Sequence, residues 1–185
     1  MTIPDTRKPD TGEMLEIDIV VRDTHWETLS GDVHELCRQS ACAAFSAGVS
    51  KPLLAEAALV LADDEFVAGL NLQYRNRQGA TNVLSFAACD ADDPATPIVT
   101  DAPTMLGDII VARETTVREA DEVGISVEHH LRHLVVHGML HLLGYDHITD
   151  DEAAEMEPLE TGILAAMGVA DPYADVSRPS EGTPS

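Results

Sequence analysis

The segment HGMLHLLGYDH, residues 137–147, determines how the rest of the chain has to be arranged. His137 and His141 are four residues apart, and in a helix this spacing places both imidazoles on one face, about one turn apart. Gly144 then predicts the end of the helix, because a residue without a Cβ adopts the left-handed conformation without strain. The chain can therefore turn back and bring His147 to the other two histidines.

Three imidazoles that converge on one point are typical of a metal site. Neutral nitrogen ligands with a fourth position left to water describe catalytic rather than structural zinc, so we expect one divalent ion. Zinc is the first candidate and nickel the second. Histidine pairs at this spacing also occur on surfaces and in cores without a metal, and the third histidine beyond the glycine favours the metal. Asp146 is predicted to accept a ring N–H and so to orient a ligand.

Two neighbours of these histidines limit the chemistry. Gly138 occupies the place at which His-Glu-x-x-His peptidases carry their general base, so the usual peptidase mechanism is disfavoured. His133 could replace His147 as third ligand, but on one straight helix His133 and His141 would lie about 12 Å apart. Bonds of about 2 Å to a single ion cannot span that separation. We therefore expect His133 to support a ligand or to contact substrate.

The apolar patterns along the chain predict a single α+β domain. Strands are indicated by period-two alternation or by short apolar runs, and helices by apolar residues at helical spacing behind a capping residue. We predict four strands, at 15–21, 55–61, 81–86 and 106–112, and helices over 33–48, 64–75, 114–122, 127–143 and from 150 onward. This order predicts a four-stranded sheet packed with about five to six helices. Pro158 predicts a bend or a split of the last helix near Glu157.

The predicted domain spans residues 15–173, and the polar segments 1–14 and 174–185 are expected to be flexible tails. No run reaches the roughly 18–20 apolar residues that cross a bilayer, and the N-terminal tail lacks the apolar centre of a secretory signal. The three cysteines lack ligand spacing and are expected as buried thiols, which suits a reducing compartment. We therefore expect a cytoplasmic protein without a membrane partner.

The composition is strongly acidic, since 33 Asp and Glu against 11 Lys and Arg give a formal net charge of −22. Phosphate backbones normally bind basic surfaces, so this balance by itself argues against a nucleic-acid partner. An RNA-cleaving function would require the few arginines to gather around the metal. Arg75, at the predicted end of a helix, is either an ordinary surface group or a member of such a cluster.

Residues 137–147 resemble the signature of the YbeY family, which are single-strand-specific, metal-dependent endoribonucleases that act in ribosomal RNA maturation and ribosome quality control. Further segments agree with the family in order and spacing. They are Leu70-Asn71-x-x-Tyr74-Arg75 followed by Thr81-Asn82-Val83-Leu84-Ser85-Phe86; Leu106-Gly107-Asp108-Ile109; and Glu155-Met156-Glu157 with Ile163-Leu164-Ala165 and Ala170-Asp171-Pro172-Tyr173. The resemblance extends from about residue 15 to Tyr173.

The resemblance implies a mixed sheet and a defined set of site residues. It implies that His137, His141 and His147 bind the metal and are catalytic, and that Arg75 faces the metal cleft and contributes to activity. A guanidinium suits a phosphodiester because its planar fork can hold two oxygens. The implied substrate is single-stranded RNA, in particular the 3′ end of 16S ribosomal RNA. The implied partners are the ribosome or small-subunit proteins, and no DNA.

Two other functions stay open for this sequence. A peptidase-like or amidase-like hydrolase would use the same ion and water on a carbonyl. A non-catalytic ribosome assembly factor would need the ion only to hold its fold. Arg77 stands where the family often has lysine, which keeps the charge and changes its geometry. Ala80 replaces a frequent proline, so we expect a looser turn and unchanged chemistry.

Overall fold

The computed structural model describes residues 15–50, 53–88 and 103–173. The predicted tails and residues 89–102, which include Cys89, lie outside these ranges. Among the described residues, no helix combines the length and the apolar character that a bilayer crossing requires.

The sheet has four strands and is mixed, as predicted. The strands are β1 (Leu15–Val21), β2 (Ala55–Ala62), β3 (Val83–Ala87) and β4 (Thr104–Ala112), in the order β1-β2-β4-β3. The pairs β1–β2 and β2–β4 are parallel, whereas β3 runs antiparallel to β4. The interior position of β2 explains its almost continuous apolar sequence, because both of its faces are covered. The strand β3 forms an edge of the sheet.

Six helices accompany the sheet, and four of them begin at a residue whose side chain accepts a backbone N–H of the first turn. They are α1 (Trp26–Leu29), α2 (Val33–Gly48), α3 (Asp64–Arg75), α4 (Arg113–Val123), α5 (Val127–Leu142) and α6 (Asp150–Ala166). The capping residues are Asp32, Asp63, Ser126 and Thr149. These side chains satisfy donors that the helix itself leaves unpaired. The short α1 was not predicted.

The last helix starts, as predicted, near residue 150, at a capping box of Thr149 and Glu152. The predicted split at Pro158 is wrong, because α6 continues through the proline to Ala166. Burial explains this continuity. Met156, Ile163 and Leu164 on one face of the helix are buried in the main core, and their burial offsets the hydrogen bond that the proline removes.

The helix α5 is the central helix of the core. It contacts α2, α4, α6 and strands β3 and β4, and its apolar side chains are fully buried, among them Leu131, Val135 and Met139. The helix α3 packs on the other face of the sheet, where Val67 joins Leu84 and neighbouring apolar residues in a second, smaller cluster. Helices and strands thus pack around the histidine helix α5, and its C-terminal end lies next to the edge strand β3.

The described cysteines lie on α2. Cys37 is buried, as predicted, whereas Cys42 is only half-buried. Burial raises the pKa of the Cys37 thiol to about 12, so this group stays protonated and unreactive at neutral pH.

An ion pair at the start of α4 predicts how acid affects stability. Burial would raise the pKa of Asp23, but hydrogen bonds from Arg113 and His25 lower it to about 2, below the 3.8 of a free carboxyl. A carboxyl with a lowered pKa stabilises the fold above its unfolded pKa, and this contribution is lost as the pH falls toward its folded value. We therefore expect Asp23→Asn to lower the free energy of unfolding at pH 6 and to reduce its decline between about pH 4 and pH 2.

Chemical denaturation at several pH values checks this expectation, with Glu27→Gln on the exposed side of α1 as the control. Equal pH profiles for wild type and Asp23→Asn would show that the ion pair contributes nothing to acid sensitivity.

Candidate active site

The chain reverses direction at the end of α5 through a pattern of two backbone hydrogen bonds. Gly144 has a φ of 93°, its N–H donates to the carbonyl of His141, and the N–H of Tyr145 donates to the carbonyl of Leu140. These two bonds form the helix end that a left-handed glycine allows. His147 follows two residues after Tyr145, and its side chain lies beside the C-terminal end of α5.

The structure brings together the three histidines that the sequence singled out. The ring centres of His137 and His141 are 4.5 Å apart, and the His147 ring lies 5.3 Å from the first and 5.2 Å from the second. One nitrogen from each ring lies within 4.8 Å of the other two. His137 and His141 are half-buried, and His147 is exposed. The three side chains therefore form one cluster that opens to solvent on one side.

A backbone carbonyl orients the ring of His141. Its Nδ1 lies 2.9 Å from the carbonyl oxygen of Tyr145, and because a carbonyl can only accept, this nitrogen carries the proton. The lone pair is then on Nε2, which faces the cluster. The Tyr145 hydroxyl donates to the carbonyl of Gly48 at 3.1 Å and so ties this turn to the end of α2. The role predicted for Asp146 is wrong, because its carboxylate accepts the backbone N–H of His147 at 2.8 Å.

A buried carboxylate lies behind the ring of His137. Glu160 of α6 is fully buried, and its Oε1 is 3.3 Å from Nδ1 of His137 and 3.1 Å from Nε2 of His133. Burial would raise the pKa of Glu160, but the facing nitrogens of the two histidines and their charges lower it to about 2. The carboxylate is therefore ionised. His133, expected to support a ligand or to contact substrate, contacts Glu160 on the side away from His147.

The nitrogen donors fit a divalent ion. Nε2 of His137 and Nε2 of His141 are only 3.0 Å apart. With protons on the Nδ1 atoms, two lone pairs face each other, an arrangement that a cation between them would relieve. Burial, together with the neighbouring His137 and His147, lowers the pKa of His141 and favours the neutral form that binds metal. An all-imidazole set suits zinc and also copper, iron and nickel.

A cleft of ≈ 470 Å³ runs along the edge strand and past the three histidines. Arg75, the last residue of α3, lines this cleft together with Asn82 and Ser85 of the segment around β3. Within the described chain, no carboxylate forms an ion pair with Arg75. Arg77 is exposed and does not line the described cleft. We expected several arginines around the metal for an RNA substrate. Among the described residues, Arg75 is the one arginine that lines this cleft.

The position after the first histidine faces the sheet. A Cβ on Gly138 would lie 2.8 Å from Cγ2 of Ile109 and 3.1 Å from Oγ of Ser85, and the Ser85 hydroxyl donates to the Gly138 carbonyl at 3.3 Å. A side chain here would meet the packed side chains of Ile109 and Ser85. Glycine leaves this position without the general base that peptidases place next to their first ligand.

This close packing also yields a stability prediction. Gly138→Ala should lower the free energy of unfolding, because overpacking costs about 1–3 kcal/mol and exceeds the gain of about 1 kcal/mol in helix propensity. Gly162→Ala is the matched control, since its added Cβ meets no atom within 4 Å and should stabilise α6. Urea denaturation of both variants measures the difference. Equal stabilisation in the two variants would contradict the packing described for Gly138.

Comparison with known proteins agrees with this geometry. A sequence profile described as Endoribonuclease YbeY matches residues 20–168 of the chain. The chain belongs to the YbeY family. The YbeY endoribonuclease of Rhodospirillum rubrum is 49% identical over 164 residues, covering 84% of this chain and 80% of that protein. The YbeY endoribonuclease of Paramagnetospirillum magneticum is 46% identical over 161 residues, covering 87% of this chain and 97% of that protein.

A solved structure supports the fold of this YbeY protein. The solution structure of a Thermotoga maritima protein superposes with a TM-score of 0.54 at 19% identity, covering 91% of this chain and 100% of that one. The predicted family, the enzyme class that it names and the α+β fold with a mixed four-stranded sheet are confirmed. The range matched to YbeY includes Arg75, the three clustered histidines and Glu160.

Proposed function

We propose that this YbeY protein is a metal-dependent endoribonuclease that cleaves single-stranded RNA, with the 3′ end of 16S ribosomal RNA as its target. One observation carries the proposal: three imidazoles with inward-facing nitrogens form one wall of a cleft in which Arg75 supplies a positive charge. His137, His141 and His147 are the proposed ligands, and Arg75 is the proposed phosphate contact. The name of the relatives, endoribonuclease YbeY, agrees with this assignment.

Each residue of the proposed site has its own role. The histidines hold one divalent ion, zinc in the first place, which when bound supplies a water of lowered pKa and polarises a phosphoryl oxygen. The Arg75 guanidinium binds phosphate oxygens and offsets the negative charge that grows during cleavage. The orientation of Gly138 toward the sheet favours this nuclease chemistry over the peptidase-like alternative, because it leaves that place without a base.

The acidic composition indicates how the RNA is reached. A chain with a net charge of −22 and one arginine lining the described cleft gains little affinity from phosphate contacts. Its charge instead favours basic protein partners, and we propose small-subunit ribosomal proteins that present the RNA end to the cleft. A cytoplasmic location follows from this partner and agrees with the buried Cys37 thiol.

A weak dependence on salt is the expected result for RNA alone. Each phosphate neutralised in a single strand contributes a slope of about −0.7 to log K against log salt, so a protein with one phosphate-binding arginine should show a slope of about −0.7. Fluorescence anisotropy with a labelled single-stranded RNA across a salt series measures it. A much steeper slope would mean that a basic surface elsewhere binds the RNA.

The substrate class is tested with purified protein of known metal content. We expect cleavage of single-stranded RNA, little cleavage of the same sequence annealed to its complement, and no hydrolysis of casein. Hydrolysis of casein without cleavage of RNA would favour the peptidase-like alternative. For a non-catalytic assembly factor, His137→Ala would unfold the protein, whereas for the proposed enzyme it removes activity and the fold remains.

A further inference from the structure

A second cluster of polar side chains lies behind the ring of His137. It comprises Glu160 with His133, His137 and Tyr173, and it joins three parts of the chain: α5, α6 and the segment after α6. Glu160 is fully buried, and burying a carboxylate is costly unless donors surround it. Its position in the core therefore needs an explanation beyond packing.

Possible donors face both oxygens of the Glu160 carboxylate. The Tyr173 hydroxyl donates to Oε2, while Oε1 faces Nε2 of His133 at 3.1 Å and Nδ1 of His137 at 3.3 Å. Nδ1 of His137 and Oε1 of Glu160 are both buried, and neither forms a well-directed hydrogen bond with any described residue. Oε1 of Glu160 is thus an acceptor within reach of the buried Nδ1 of His137.

We propose that Glu160 is a positioning residue whose Oε1 accepts a hydrogen bond from Nδ1–H of His137. This bond keeps the ring proton on the side away from the cleft, so that the Nε2 lone pair points into the cleft. His133 and Tyr173 hold the Glu160 carboxylate in the position from which it contacts His137. The proposal rests on the assignment of His137 as a metal ligand. It makes His137 equivalent to His141, whose Nδ1–H is held by the Tyr145 carbonyl.

A second metal site is the competing explanation, because His133, His137 and Glu160 also offer three ligand atoms close together. The distances favour hydrogen bonding, since both nitrogens already lie at donor–acceptor separations from one oxygen. The second oxygen is taken by a hydroxyl donor. The two explanations differ in the number of ions that the protein binds.

Zinc titration of the intact chain, by calorimetry against a competing chelator, tests the proposal. Glu160→Met removes the acceptor and Glu160→Gln removes the charge but keeps an acceptor. Loss of a partner behind a ligand costs about 10–100-fold in metal affinity, so we expect about 100-fold for E160M and about 10-fold for E160Q. Tyr173→Phe should cause a smaller loss, and Glu155→Gln, an exposed acid on the same helix, none.

A second readout does not depend on metal or on RNA. The nitrogen chemical shifts of the histidine rings in the metal-free protein report which ring nitrogen is protonated. We expect His137 to carry its proton on Nδ1 in the wild type and to distribute it over both nitrogens in E160M. This measurement separates failure of the positioning role from failure of the nuclease assignment, since it is made without substrate.

Three results would overturn the proposal. One is a folded E160M with wild-type zinc affinity and an unchanged His137 proton. Another is two zinc ions per wild-type chain, of which E160M loses the second. If E160M does not fold, E160Q and Tyr173→Phe decide, and wild-type affinity in both would overturn it.

Discussion

Replacing His147 by alanine is expected to lower the rate of RNA cleavage at least about 100-fold, because loss of even a partner behind a ligand costs about 10–100-fold. The side chain is exposed and lies in the turn after α5, where it contributes little to the core. The free energy of unfolding of the metal-free protein should therefore stay within about 0.5 kcal/mol of the wild type. Single-turnover cleavage of a labelled single-stranded RNA and urea denaturation measure the two quantities.

The matched control is His129→Ala, an exposed histidine at the other end of α5. It removes the same chemical group from an exposed position outside the histidine cluster and should leave both quantities unaltered. A His147→Ala variant that cleaves at the wild-type rate would remove His147 from the site. A variant that loses its cooperative unfolding transition would point to a structural metal.

Arg75→Ala is expected to lower kcat about 10²–10³-fold, the usual cost of removing one donor that stabilises charge in the transition state. Zinc affinity should remain at the wild-type value, because Arg75 lines the cleft without taking part in the histidine cluster. Arg75→Lys keeps the charge but loses the planar fork, so its activity should lie between those of Arg75→Ala and the wild type.

Arg77→Ala provides the comparison for this series, since Arg77 is exposed two residues further along and does not line the described cleft. Rates are compared at saturating RNA, so that a change in KM does not count as a change in kcat. Equal losses for Arg75→Ala and Arg77→Ala would show that both arginines act through general charge and would contradict a specific phosphate contact.

Local geometry explains why much of the site could be predicted from sequence. The spacing of His137 and His141 determines that they share a helix face, and Gly144 determines where that helix ends. Only His147 had to be placed beyond the helix, and the glycine turn left it few positions. Capping residues such as Asp63 and Thr149 likewise act within one turn of the helix that they begin.

Contacts that depend on the exact path of the backbone or on the tertiary fold could not be predicted in this way. The carbonyl that orients His141 belongs to Tyr145 rather than to an acidic side chain, because the turn brings backbone and ring together. Glu160 was not predicted, although the sequence carries a signal for it. It is an acid on an otherwise apolar helix face, four residues after Met156 and three and four residues before Ile163 and Leu164. Such a residue calls for a buried donor, but only the fold shows that His133 and His137 face it.

The proline in α6 shows the opposite error, in which a local rule was given too much weight. One missing hydrogen bond costs a few kcal/mol at most, and the buried face of α6 compensates for it. The strong local signal of Pro158 therefore predicted a break that the tertiary packing prevents.

The central claim is that one divalent ion is held by the three clustered histidines. Anomalous diffraction from crystals of the zinc-loaded protein tests it most directly. We predict a single strong peak at about 2.0–2.1 Å from a nitrogen of each of His137, His141 and His147. A peak located between His133 and Glu160, or no peak at the histidine cluster in the presence of saturating zinc, would contradict the account.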